Sequence, residues 1–304
     1  MAADEAITTP RSTGSARADE AITTPRPTGS ARAGSTAVFS DRPAKIRVKG
    51  VALSYRNNTS STAVLSDLSF DVAEGEFVSL IGASGCGKST TLSLLAGLRM
   101  PDSGEVHIDG VPVTGTGKDR SVVFQHYALF PWMRARRNVE FGIRQVSDAP
   151  KREIAAKAAY YLKRVGLEGK EALYPHQLSG GMQQRVAIAR ALAMETEILL
   201  MDEPFGAVDA KTRVVLQDLL LELLQEQERK RTVVFVTHDI DEALLLSDRV
   251  LFMNAQRISK VIEVPFEHPK KRHEIAQTLV YRELRKEIFD MFYEDEGEYL
   301  ASGI

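Results

Sequence analysis

A glycine-rich loop of fixed spacing, Gly82-Ala83-Ser84-Gly85-Cys86-Gly87-Lys88-Ser89, constrains this chain more than any other segment. It reads Gly-x4-Gly-Lys-Ser. Its glycines let the backbone wrap a phosphate group with N–H groups pointing inward, where side chains would obstruct. Lys88 can then reach the β- and γ-phosphates, and the Ser89 hydroxyl can ligate Mg²⁺. Before the loop, Phe77-Val78-Ser79-Leu80-Ile81 suits a buried parallel strand. After it, Ser89 to Leu95 reads as a helix whose N-terminal dipole favours an anion. A chance glycine turn would lack this strand, this helix and the full motif.

A second element follows at Ile198-Leu199-Leu200-Met201-Asp202-Glu203-Pro204. Its apolar residues predict another buried strand, with two carboxylates at its carboxyl end, where α/β sheets bind ligands. Asp202 suits a Mg²⁺ shell, directly or through water, and Glu203 is placed to polarise an attacking water as general base. Asp-Glu at a strand end is also a common solvated turn. Downstream of this phosphate loop the catalytic reading is preferred.

Between the two lies Leu178-Ser179-Gly180-Gly181-Met182-Gln183-Gln184-Arg185. On these residues the chain resembles the nucleotide-binding subunit of an ATP-binding cassette (ABC) transporter. The resemblance implies an α/β fold: a P-loop cassette with a central, mostly parallel sheet, an antiparallel β subdomain and a helical subdomain carrying the signature. It implies that Ser179, Gly180, Gly181 and Met182 cap the γ-phosphate bound to a second copy of the chain. Met182 stands where the family often has Gln. Met182 to Met194 is rich in Ala, Arg, Gln and Leu without internal Gly or Pro, which fits the helix such a cap requires.

Further positions match the same family in order. The resemblance places Gly82, Ala83, Ser84, Gly85, Cys86, Gly87, Lys88, Ser89 and Thr90 around the nucleotide phosphates. Tyr55 matches the aromatic that stacks on adenine; otherwise it is an ordinary strand tyrosine. Gln125, after Ser121-Val122-Val123-Phe124, matches the glutamine that touches Mg²⁺ and the attacking water. Ala207-Val208-Asp209 stands where the family usually has Ala-Leu-Asp, in a loop lining the dimer interface. His238, 35 residues past Glu203, matches the switch histidine that contacts the γ-phosphate. The implied catalytic set is Glu203, His238, Gln125 and Lys88, with Ser89, Gln125 and Asp202 on the metal. Implied with them are ATP and Mg²⁺, a homodimer, two transmembrane permease subunits and an extracytoplasmic solute-binding protein.

Bulk properties agree. Apolar content of 43% and charged content of 26% are ordinary for a globular protein, and a formal net charge of −2 does not point to nucleic acid. No run of about 18 apolar residues exists to span a bilayer. The start of the chain lacks an apolar signal core, so the expected location is the cytoplasmic face of the inner membrane, as a peripheral subunit. The single cysteine, Cys86, cannot form an internal disulfide.

Residues 1–43 carry a duplicated unit: Ala3 to Arg17 recurs as Ala18 to Arg32 with only Ser12 changed, to Pro27. With almost no apolar mass, this segment is expected to be a disordered tail. Residues 44–265 form the expected ATPase domain and 266–304 a C-terminal helical extension. Lys45 to Ala73 predicts antiparallel strands interrupted by the polar loop Asn57 to Thr62. Asp109-Gly110 between Glu105–Ile108 and Val111–Thr114 predicts a two-residue hairpin. Ile154, Ala158, Tyr161, Leu162 and Val165 follow helical spacing with Gly166 as the stop. Leu216, Leu219, Leu220, Leu223 and Leu224 mark another apolar helical face, and Leu284, Ile288, Met291 and Phe292 a third. His268 to His273 reads as a basic, solvated turn.

Gln125 to Trp132 followed by Asn138-Val139-Glu140-Phe141-Gly142 resembles the nitrate/sulfonate/taurine importer group, as does Arg282 to Ile288. The alternative for Trp132 is a core residue of the helical subdomain. The leading expectation is an importer ATPase for a small anionic solute. The rivals are another importer or an exporter, a soluble ABC protein without a transport role, and an ATP-binding scaffold without turnover.

Overall fold

The computed structural model describes residues 43–56, 61–226, 230–267 and 270–301, with side chains to residue 293. Residues 1–42 of the expected disordered tail lie outside the described residues, as do residues 57–60 of the polar loop, His268 and Pro269.

Strands β1 (Ala44–Arg56) and β2 (Ser61–Ala73) pair antiparallel. β3 (Phe77–Gly82) enters a second sheet, and α1 (Lys88–Leu95) follows the glycine loop. The chain returns to the first sheet with β4 (Ser103–Ile108) and β5 (Val111–Pro112), then adds β6 (Arg120–Val123) to the second. Three helices come next: α2 (Ala135–Val146), α3 (Lys151–Arg164) and α4 (Gly180–Ala193). β7 (Ile198–Asp202), α5 (Ala210–Gln225), β8 (Thr232–Val236) and α6 (Ile240–Leu246) alternate after them. β9 (Arg249–Asn254), β10 (Arg257–Glu263), α7 (Arg272–Ile275) and α8 (Leu279–Ala301) complete the described chain.

The antiparallel sheet has the order β2-β1-β4-β5, and the larger sheet β10-β9-β3-β8-β7-β6. Within the larger sheet β9, β3, β8, β7 and β6 run parallel, and β10 closes one edge antiparallel. Period-two alternation divides its buried strands between two cores. Leu199 and Met201 of β7, with Val233 and Phe235 of β8, face α2 to α5. Ile198, Leu200, Val234 and Val236 face α1 and the antiparallel sheet. The hairpin turn is made by Asp109 and Gly110, both at positive φ, 50° and 76°, the conformation that a two-residue turn with native twist needs.

Some boundaries differ from the sequence reading. α4 begins at Gly180, two residues before the expected Met182, because Ser179 already caps it, its hydroxyl accepting from the Met182 N–H. The basic turn is not fully solvated. Lys270 is buried, donating to the carbonyls of Leu244 and Ser247 at the end of α6, and Arg272 reaches α5. α8 buries Tyr281 and Ile288, with Leu284, Met291 and Phe292 alongside, against α6 and β9.

Candidate active site

Four adjacent parallel strands, β3, β8, β7 and β6, end at one edge of the large sheet, and each carries a sequence-predicted site residue just beyond its carboxyl end. β3 leads into the glycine loop, β7 into Asp202 and Glu203, β8 into His238 and β6 into Gln125. Strand order alone therefore brings together residues separated by more than 100 positions in the chain.

The loop is pinned at its first glycine. Gly82 has φ +151°, and a Cβ there would lie 2.1 Å from the Met253 carbonyl oxygen of β9, so only glycine fits beside that strand. Ser84 and Gly85 at the loop crest are exposed, Ala83 and Cys86 half-buried. Lys88 is buried and folds its ammonium over the loop, donating to the carbonyls of Gly82 (2.8 Å) and Ala83 (2.7 Å). These contacts hold the cation within the loop that would receive phosphate.

The Ser89 hydroxyl donates to Asp202 Oδ1 at 3.1 Å. The Asp202 carboxyl is held above the ordinary aspartate range, chiefly by burial and further by the neighbouring Glu203 charge, while the Ser89 hydrogen bond and Lys88 pull it down. A hydroxyl and a buried carboxylate in contact, with Gln125 nearby, are hard oxygen donors suited to a small divalent cation that keeps waters and phosphate oxygens in its shell. Among the described residues no cluster of three or more His, Cys, Asp or Glu stands ready for a metal. The hydroxyl and carboxylate oxygens fit a small divalent cation such as Mg²⁺.

Glu203 sits at positive φ, 45°, with its N–H bonded to the Val236 carbonyl at 3.0 Å. Gln125 Nε2 donates to Glu203 Oε2 at 3.2 Å, and His238 Nδ1 lies 3.2 Å from Glu203 Oε1. Both carboxylate oxygens thus have a positioned neighbour. A carboxylate held this way at the mouth of a phosphate loop can accept a proton from a water poised for attack.

The segment after Gln125 is tied to α4. Tyr127 and Ala128 both have positive φ, 50° and 47°, and Arg190 of α4 donates to their carbonyls at 3.2 and 2.8 Å. The Tyr127 hydroxyl stands 2.9 Å from where a Cβ on Gly180 would be. Ser179 and Asp209 are exposed, and each caps its own helix, Asp209 Oδ1 accepting from Thr212 at 3.0 Å. Gly181 lies against residues 207 and 208, its missing Cβ falling 3.2 Å from the Ala207 carbonyl. Met182 is partly buried against the helical core.

Tyr55 is 39% exposed, and its hydroxyl hydrogen-bonds the Thr90 hydroxyl at 2.9 Å. Arg99, which sequence reasoning did not single out, lies over its ring at 4.7 Å. No periodic or motif signal marks Arg99. Away from this edge, Trp132 is 69% exposed, so it is not a core residue of the helical subdomain. It rims a cavity of about 690 Å³ with Arg134, Arg136, Arg137 and Tyr174. Among the described residues no helix is long and apolar enough to cross a membrane.

The family model described as "ABC transporter" matches residues 65–206. The nitrate import ATP-binding protein NrtD of Synechococcus elongatus is 44% identical over 236 residues, covering 75% of this chain and 84% of that protein. The bicarbonate transport ATP-binding protein CmpC of the same organism is 46% identical over 228 residues, covering 74% of this chain and 34% of that longer protein. A dimeric ATP-binding cassette solved in a post-hydrolysis state with ADP and Pi superposes with a TM-score of 0.68 at 34% identity, covering 73% of this chain and all of that one.

Proposed function

The chain belongs to the ABC transporter family, as one of its ATP-binding ATPase subunits, and from that premise we propose that it powers import of a small inorganic or sulfonated anion as a homodimer beneath two permease subunits. The observation that carries the hydrolytic part is the convergence of Gln125, Glu203 and His238 beside the Lys88 loop.

In this reading residues 82–90 hold the β- and γ-phosphates, with Lys88 released from its two loop carbonyls to meet them. Tyr55 stacks on the adenine. Ser89, Asp202 and Gln125 would hold Mg²⁺, which would supply neutralisation of phosphate charge. Glu203 takes the proton of the attacking water, its carboxylate aimed by Gln125, and His238 adds a contact to the γ-phosphoryl group. Phosphoryl transfer needs position and charge more than covalent help, so most of the rate comes from this preassembled edge. The other face of the nucleotide is closed by Ser179, Gly180, Gly181 and Met182 of the second copy, with Asp209 at the interface.

Two further features support the transport reading. The exposed aromatic and basic cavity around Trp132, Arg134, Arg136 and Arg137 suits a short helical segment of a membrane partner with acidic or carbonyl groups. The segment joining it to Gln125 is the one that Arg190 fixes to α4. The names of the relatives, nitrate and bicarbonate, support a small anion as cargo. An extracytoplasmic binding protein would then deliver it to the permease.

The test is reconstitution of the chain with its permease in proteoliposomes and measurement of nitrate, bicarbonate and alkanesulfonate movement with ATP on the subunit's side. ATP-dependent accumulation of one anion, lost with Glu203→Gln, is expected. Cargo moving toward the ATP-binding side supports import, and export or an uncharged cargo overturns the anion-importer assignment.

A further inference from the structure

Behind His238 lies a buried polar cluster that none of the roles above uses. Glu242, in the first turn of α6, is 6% exposed, and its carboxylate is fully engaged. Thr237 Oγ1 donates to Oε2 at 2.6 Å, and Gln217 Nε2 of α5 donates to Oε1 at 2.9 Å. Arg213, one turn earlier on α5, places Nε 3.8 Å from Oε1 and Nη1 3.5 Å from Asp239. Thr237 and Gln217 are each 2% exposed. Burial, and then the neighbouring Asp239 charge, push the Glu242 carboxyl up, while Thr237, Arg213 and Gln217 pull it down.

The direction of each hydrogen bond is forced. The Thr237 hydroxyl accepts from the Asp239 N–H at 3.0 Å, so its own proton points to Glu242. Arg272 of α7 has no acceptor, and it donates to Gln217 Oε1. The Gln217 amide must therefore turn its NH₂ toward Glu242. Asp239 Oδ1 accepts from the N–H groups of Asp241 and Glu242, closing the turn from the other side. His238 lies between Thr237 and Asp239 and is gripped on both flanks. A small cavity of about 50 Å³ is lined by members of both the cluster and the active edge, among them Arg213, Glu242, Glu203 and His238.

We propose that Glu242 is a positioning residue for His238, and that Arg272, from beyond the last strand of the cassette, completes the grip by orienting Gln217. The C-terminal segment therefore reaches the hydrolytic edge through four side chains, Arg272, Gln217, Glu242 and Thr237. It also touches the helix that begins after His238 at a second point, where Tyr281 (2.7 Å) and Arg285 (2.8 Å) both meet Asp241. Hydrogen bonds from Thr237 and Gln217 to the two oxygens of the buried Glu242 carboxylate favour one arrangement, because breaking either leaves a buried polar group unpaired. The inference rests on the ATPase reading of Glu203 and His238.

The test uses the full-length chain and four variants: Glu242→Gln, Thr237→Val, Thr237→Ser and Arg272→Met. Glu242→Gln turns an NH₂ toward one of two donors. Thr237→Val keeps the shape and removes the hydroxyl. We expect about a ten-fold fall in kcat for both, the size of a broken local coupling, with KM for ATP within about two-fold of the parent. Thr237→Ser recovers most of the loss. Arg272→Met, at a position one quarter exposed, gives a smaller fall in the same direction. The imidazole resonance of His238, assigned among the six histidines by its loss in His238→Ala, should shift in every variant that lowers kcat.

If Glu242→Gln does not fold, Thr237→Val and Arg272→Met carry the same comparison. Unchanged kcat, or a lowered kcat with the His238 resonance unmoved, overturns the positioning role. Near-parent turnover in His238→Ala overturns the underlying assignment of the active edge instead, so the two failures are distinguishable.

Discussion

Glu203 Oε1 and His238 Nδ1 face each other at 3.2 Å across the gap between the ends of β7 and β8. The contact depends on the backbone. Glu203 adopts φ +45°, a sparsely populated conformation for a residue with a side chain, and its N–H is strapped to the Val236 carbonyl. Strain of this kind, of order 1–3 kcal/mol, persists only where the surroundings overdetermine it. Here it aims a carboxylate between His238 and Gln125.

Glu203→Gln is expected to keep ATP binding and nearly abolish hydrolysis. The amide preserves size and can still meet Gln125 and His238, but it cannot accept the proton of water. Loss of a general base lowers turnover by about 10²- to 10⁴-fold. Steady-state phosphate release from the purified variant decides it, and near-normal turnover removes Glu203 from the role.

Local chemistry explains which parts of this arrangement the sequence disclosed. A run such as Phe77–Ile81 buries on both faces, and its strand could be read because every residue is apolar or small. The start of α4 could not, since Gly180 and Gly181 are poor helix formers and the cap at Ser179 overrides them. The hydrolytic edge was legible as a set of motifs in order, while its contacts were not. Arg190 meets Tyr127 and Ala128 from more than 60 residues away, and Arg272 meets Gln217 from 55 away. Such pairs leave no period, because each member only has to reach across a fold that already exists. Lys270 shows the same limit: a basic turn reads as solvated until the end of α6 supplies carbonyls for it.

Gly82→Ala should damage both the fold and the site. The added methyl would stand 2.1 Å from the Met253 carbonyl, and β3 cannot move without disturbing β9, to which it is paired at that residue. Overpacking of this type costs about 1–3 kcal/mol. A lower melting temperature together with weaker binding of a fluorescent ATP analogue is expected. Parent-like values for both would show that the loop is not pinned there.

Lys270 gives a pH dependence with a definite sign. Burial lowers its pKa from 10.5 to about 8, against a small opposing pull from Asp248. The unfolded chain therefore binds more protons than the folded one between about pH 8 and pH 10.5. Stability from this group rises as pH rises through that window and is level below it. Comparing the parent with Lys270→Met by chemical denaturation at pH 7.5 and pH 10 cancels other titrating groups. The difference should move in the parent's favour at the higher pH, by at most about 3 kcal/mol. A difference independent of pH contradicts the buried, charge-averse environment.

The composite site is tested most directly by mixing two defective chains. Ser179→Arg should leave nucleotide binding by the single chain intact, because Ser179 is exposed and its hydroxyl is engaged locally, capping α4 at the Met182 N–H. If Ser179 and Gly180 act on the partner's ATP, the same variant cannot close on it. Lys88→Ala removes the cation held by the Gly82 and Ala83 carbonyls and has the complementary defect. Each homodimer then has two damaged sites. In the mixed dimer one site carries both lesions, and the other pairs an intact phosphate loop with an intact signature. With Glu203→Gln in both chains to stop hydrolysis, light scattering should show some ATP-dependent dimer in the mixture and little in either variant alone. Recovery stays partial, since the doubly damaged site contributes few contacts. If the Ser179→Arg chain dimerises on ATP as readily as its parent, the signature does not act in trans and the two-copy site is wrong.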